Sequence, residues 1–153
     1  MELLRRGILI VDDDGVLREE LRDVFRLAGY RAHVAPDALA ALRVVSAGFK
    51  PDVMLCDTAP TVAEARELIA ELRNRGFYIP TVLASGDGHP RRAAEQAGAD
   101  AYIAKPFEVT DLLSVINSLL DEPSQGQAGQ FDYRSRVVAL TTKLQRLVRR
   151  SAA

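Results

Sequence analysis

Five side chains in this sequence have the types and spacing to handle a phosphoryl group: Asp12 and Asp13 in a run of aspartates, then Asp57, Ser85 and Lys105. Each follows a short apolar stretch. Carboxylates crowded within a few ångströms disfavour joint ionisation, and a divalent cation relieves that repulsion. Mg²⁺ takes oxygen ligands in an octahedron and usually keeps some waters. Asp12, Asp13 and Asp57 would therefore supply hard ligands and leave room for a phosphoryl oxygen. Lys105 adds a point positive charge opposite the metal, and Ser85 adds a hydroxyl donor. Such a set clamps the equatorial oxygens of a transferring phosphoryl group. A carboxylate can itself be the nucleophile, giving an acyl phosphate.

For these residues to meet, distant segments must end at one rim. The apolar runs Gly7–Val11, Arg31–Ala35, Asp52–Cys56, Thr81–Ala84 and Ala101–Ala104 read as buried strands. Between them lie stretches with helical spacing: Leu17, Leu21, Val24, Phe25 and Ala28; Leu39, Leu42 and Val45; Ala65, Leu68, Ile69 and Leu72; a short one near Arg91–Ala97; and Leu112, Leu113, Ile116, Leu119 and Leu120. Gly29, Gly48, Gly76 and Gly98 sit just past helices, and Asp37 can cap the second. The alternation predicts an α/β fold, a doubly wound five-stranded parallel sheet with helices on both faces. Strand runs apolar on consecutive residues suit strands covered on both sides. Ligands of such sheets bind beyond the carboxyl ends of the strands, and the order 2-1-3-4-5 would set the four loops bearing these residues side by side.

The bulk properties frame this domain. The chain has 153 residues, 48% of them hydrophobic, no Trp and one cysteine, Cys56, so a disulfide framework and a Cys-based zinc cluster are excluded. Cys56 reads as a small buried hydrophobe. Met1 to Gly7 is too short and polar for a signal peptide. No apolar run approaches the roughly 20 residues of a membrane span. The expected location is a reducing cytoplasm. From Asp132 onward six basic side chains face one acidic, whereas the preceding 131 residues carry 14 and 20. The expected organisation is a domain over 1–121, a polar linker over 122–130 (EPSQGQAGQ) and a basic amphipathic C-terminal helix over 131–153. Val137, Leu140, Leu144 and Leu147 form a short seam on that helix. It predicts self-association as a homodimer, or docking on a partner. One helix is too little for a helix-turn-helix unit, so sequence-specific DNA binding is not expected.

The segments ILIVDDD, DVMLCD, TVLASG and AGADAYIAKPF stand in order, each at a strand end. Together they resemble the receiver domains of bacterial response regulators, from Ile8 to about Leu120. The resemblance implies a flavodoxin-like fold. It implies Asp57 as phosphoacceptor, and Asp12 and Asp13 as Mg²⁺ holders with the backbone carbonyl of Ala59 as a further ligand. Ser85 and Lys105 would contact the phosphoryl group. Tyr102 matches the aromatic that turns inward when the Ser moves, and Lys105–Pro106 matches a cis bond. The donor would be the phosphohistidine of a histidine kinase or a phosphotransfer protein, the output a switch in conformation read by a downstream protein. Such a domain catalyses only its own phosphorylation and dephosphorylation. Two departures stand out: Pro60 lies three residues past Asp57 rather than four, and Ala65 occupies a position where the family has glycine. Asp87, two beyond Ser85, is an acid that could affect phosphoryl lifetime.

Other readings compete. Asp12–Asp14 could be a solvated turn with Asp14 as a helix cap, and Tyr102 a plain edge-strand aromatic packing on the fifth helix. His33 and His89 have no partner pattern. Asp12-x-Asp14-Gly15-Val16-Leu17 also resembles the first motif of haloacid-dehalogenase-type phosphatases, with Ser85 and Lys105 as later motifs. That scheme lacks its late acidic pair and leaves Asp57 without a task. A receiver-like binding module that takes no phosphate is the third possibility.

Overall fold

The computed structural model describes residues 5–57 and 61–120. Ten elements alternate: β1 Gly7–Val11, α1 Gly15–Leu27, β2 Arg31–Ala35, α2 Ala38–Ser46, β3 Val53–Asp57, α3 Val62–Asn74, β4 Thr81–Ser85, α4 Pro90–Ala97, β5 Ala101–Ala104 and α5 Val109–Leu119. The strands form one parallel sheet in the order β2-β1-β3-β4-β5, as the sequence predicts.

Alternation along each strand sorts side chains between two layers. Ile8 and Ile10 of β1, with Leu55, Val82, Ala84 and Ile103, face one side. There they meet Leu17, Leu21, Val24 and Phe25 of α1 and Leu112 and Ile116 of α5. Leu9, Met54, Cys56 and Leu83 face the other side, against α2, α3 and α4. Fully burying one such large side chain is worth about 1.5–3 kcal/mol, so the sheet is held from both faces. The buried face of α4 is Ala93, Ala94 and Ala97, which lets this short helix lie close to the strands. It ends at Gly98, whose φ of 77° is the left-handed conformation that a Cβ disfavours.

Three boundaries differ from the expectation. Asp52 lies outside β3, because its own N–H donates to the Gly7 carbonyl and its carboxylate accepts from the Gly7 N–H at 2.7 Å. Asp57 and Ser85 belong to their strands rather than following them, in register with Ala84 and Ala104. On α2 Val45 is buried and Leu42 packs half-buried on the same core, as the spacing predicts, but Leu39 is 57% exposed and Ala41 is buried in its stead. Asp37 does cap that helix, accepting from the Ala40 N–H at 2.8 Å. The Ala59 carbonyl, Pro60, the 122–130 linker and the 131–153 helix lie outside the described residues.

Candidate functional site

The site begins where β1 stops. The Asp12 N–H donates to the Ala35 carbonyl at 3.1 Å, which extends the ladder one residue and fixes Asp12 at the rim. Its Oδ1 accepts from the Asp14 N–H at 2.9 Å. The Asp14 carboxylate turns the other way and accepts from the Val16 and Leu17 N–H groups, capping α1. Three consecutive aspartates thus divide their work: Asp12 is buried in the site, Asp13 stands exposed at its mouth, and Asp14 starts a helix. The cap reading of this run holds for Asp14 alone.

Asp57, the last residue of β3, is buried beside it. Lys105 reaches in from the end of β5. Its Nζ lies 2.9 Å from Asp57 Oδ2 and 4.0 Å from Asp12 Oδ2. The lysine backbone is anchored by its N–H, which donates to the Ser85 carbonyl at 2.8 Å. The Lys105–Pro106 bond is cis, and Phe107 next to it is buried in the core.

Carboxylate oxygens of Asp12, Asp13 and Asp57 lie within 4.8 Å of one another. Ligands about 2.1 Å from a central Mg²⁺ stand roughly 3–4 Å apart, so a small closure would bring all three onto one ion. The electrostatics agree. The Asp12 carboxyl is pushed up to about 7, first by burial and then by the charge of Asp57; the Asp14 N–H and Lys105 oppose this only in part. One lysine does not neutralise the cluster, and a divalent cation would.

Ser85 is buried at the end of β4, with its Oγ accepting from the Asp87 N–H at 3.3 Å. The Asp87 carboxylate accepts from the His89 N–H at 2.6 Å and so braces the loop into α4. Tyr102 lies on β5. It is 43% exposed and lines a cavity of about 550 Å³ with His89, Pro90, Arg91, Arg92 and Glu95, at the start of α4. Cys56 is buried, its thiol pushed up to about 12 chiefly by burial, so it is an inert packing group. His33 stacks on Phe49 with ring centroids 4.1 Å apart. Ala65 packs in the core on α3. One contact had no sequence signal: Arg18 of α1 donates to the Asp12 carbonyl at 2.8 Å.

The phosphatase scheme needs an acidic pair on a further strand after Lys105. Among the described residues β5 is the last strand and α5 follows it.

Comparison with known proteins follows the same lines. The family model for the response regulator receiver domain matches residues 8–117. Response regulator MprA of Mycobacterium ulcerans (strain Agy99) is 36% identical over 115 residues, 74% of this chain and 49% of the relative. MprA of Mycobacterium leprae (strain TN) is 35% identical over 125 residues, 80% and 54% respectively. The chain thus spans about half the length of the curated relatives it matches. Among solved structures, a putative response regulator from Chloroflexus aurantiacus J-10-fl is 30% identical with a TM-score of 0.62, covering 77% of this chain and 99% of that one. Response regulator TrrA from Thermotoga maritima, solved in complex with Mg(2+)-BeF, is 25% identical with a TM-score of 0.63, covering 74% and 98%.

Proposed function

The chain belongs to the response regulator receiver family, and from that premise we propose that it takes a phosphoryl group from a phosphohistidine onto Asp57 and signals through the resulting change of shape. The observation that carries this reading is the placement of Asp57 between Lys105 at 2.9 Å and the carboxylates of Asp12 and Asp13. Asp12, Asp13 and Asp57 would hold Mg²⁺, with the Ala59 carbonyl as a further ligand. The ion supplies charge neutralisation at the acids and at the phosphoryl oxygens. Asp57 contributes the attacking oxygen: a bond forms from its carboxylate to phosphorus as the phosphorus–nitrogen bond of the donor breaks. The donor imidazole keeps that electron pair. Lys105 stays beside the new acyl phosphate and balances one of its oxygens, and the Ser85 hydroxyl donates to another.

The partners that follow are a histidine kinase or phosphotransfer protein as donor, and a downstream protein as reader. Phosphorylation would bias a two-state equilibrium of the β4–α4 loop and Tyr102. The loop contacts from Ser85 through Asp87 to His89, next to the Tyr102 cavity, support that route. The receiver would extend over 1–121 and work in the cytoplasm. A linker over 122–130 and a basic helix over 131–153 would serve self-association or docking. No helix among the described residues is long and apolar enough to cross a membrane.

Labelling with acetyl phosphate and Mg²⁺ tests the assignment. Wild type should take up phosphate and Asp57→Asn should not. Label that survives in Asp57→Asn but is lost in Asp12→Asn would overturn it in favour of the phosphatase chemistry.

A further inference from the structure

We infer that Arg18 is a positioning residue for the metal-binding rim: its guanidinium clamps the peptide that aims Asp12 and Asp13. This rests on the proposal that these acids hold Mg²⁺. The peptide plane between Asp12 and Asp13 is rigid, so its orientation sets the directions in which both side chains leave the backbone. Two elements grip that stretch. On one side the Asp12 N–H is bonded to the Ala35 carbonyl of β2. On the other the Asp12 carbonyl accepts from Arg18 Nη1 at 2.8 Å, across six positions of sequence.

Helix geometry makes this reach possible. Asp14 caps α1 through the Val16 and Leu17 N–H groups, and Arg18, whose own N–H donates to the Asp14 carbonyl, begins the next turn. Its half-buried guanidinium folds back over the helix start, close to Gly15. A charge-assisted bond to a carbonyl is stronger than a neutral one. Outer partners that orient metal ligands typically matter about 10- to 100-fold in affinity.

A clamp and a mere cation predict opposite signs. A positive charge this close to a Mg²⁺ site repels the ion, so a purely electrostatic Arg18 would weaken binding and its removal would tighten it. A clamp does the reverse.

The experiment titrates the full chain with MgCl₂ by calorimetry for wild type, Arg18→Ala and Arg18→Lys, and follows amide hydrogen exchange without metal. Arg18→Ala should weaken Mg²⁺ about tenfold and speed exchange at Asp14, with Leu55 and Val82 in the sheet unchanged. Arg18→Lys keeps the charge but loses the planar fork, and should fall between. Unchanged or tighter Mg²⁺ in Arg18→Ala overturns the clamp, and so does faster exchange spread evenly over the sheet. A wild type that takes up no Mg²⁺ overturns the metal reading itself, whereas the exchange comparison still decides whether Arg18 holds the turn.

Discussion

The sheet carries aspartates at both ends, and they are treated oppositely: Asp52 is half-buried and Asp100 exposed at one end, Asp12 and Asp57 buried at the other. At the amino-terminal edge Asp52 and Asp100 each pair with the neighbouring strand. The Asp52 carboxylate accepts from the Gly7 N–H at 2.7 Å and the Asp100 carboxylate from the Thr81 N–H at 2.8 Å. Each also donates its own N–H to the carbonyl of the same partner, Gly7 or Thr81. These acids extend the hydrogen-bond ladder beyond the strands. At the carboxyl-terminal edge Asp12 and Asp57 share one lysine, and burial together with the charge of Asp57 raises Asp12 to about 7. The same residue type is structural where backbone donors satisfy it singly, and is a candidate for chemistry where carboxylates are stacked against each other.

The contrast breaks first at Lys105. Lys105→Met removes the cation from two buried carboxylates, and losing one partner of a buried charge pair costs roughly 3–5 kcal/mol. Urea unfolding at pH 8 should show a loss of that size, recovered in large part at pH 5 or by millimolar Mg²⁺. A loss independent of both would mean that the lysine acts through packing. The next largest effect is the pH response of the metal-free protein. Asp12 holds its proton more tightly folded than unfolded, so its contribution is complete below the unfolded value of 3.8. That contribution drains away as pH rises through about 7. It amounts to on the order of 4 kcal/mol. Metal-free stability should therefore fall between pH 4 and 7, and Asp12→Asn should flatten the decline. Mg²⁺ binding should tighten over the same range, since the ion displaces that proton. A stability that rises steadily to pH 8 in Asp12 wild type would contradict the raised value.

Much of this was legible in the chain itself. The meeting of Asp12, Asp13, Asp57 and Lys105 at one edge is legible from residue type because clustered acids, a lysine before proline and apolar strands leave a pattern at fixed spacing. The parallel sheet covered on both faces follows from the alternation of strands and helices, and the order 2-1-3-4-5 is the one that sets the four loops side by side. The structural edge was not read. Asp52 was assigned to β3, since a carboxylate bonding backbone N–H groups of a strand 45 positions away leaves no local mark. Arg18 escaped for the same reason: its Asp12 bond depends on how far α1 lets the side chain fold back. On α2 only Leu39 departs from the expected stripe, because Ala41 takes the close approach to the sheet while Leu42 and Val45 pack as the spacing predicts. The Ala59 ligand and the carboxyl-terminal helix fall outside the described residues.

The structural acids supply the smaller tests. Asp52→Ala and Asp100→Ala each leave a part-buried strand N–H without its acceptor, worth about 1–3 kcal/mol. Chemical unfolding should register that loss with Mg²⁺ affinity unchanged, and a parallel fall in affinity would erase the distinction between the two edges. Asp14 sets the lower bound, because it belongs to the reactive run by sequence and to the structural class by contact. Its carboxylate serves α1 through the Val16 and Leu17 N–H groups, so Asp14→Ala should cost about 1 kcal/mol, as for other helix caps. Asp14→Asn should restore most of it, since an amide oxygen caps as well as a carboxylate. If Asp14→Asn instead matched Asp14→Ala, the negative charge rather than the cap would be what this position supplies, and Asp14 would have to be moved across to the reactive edge.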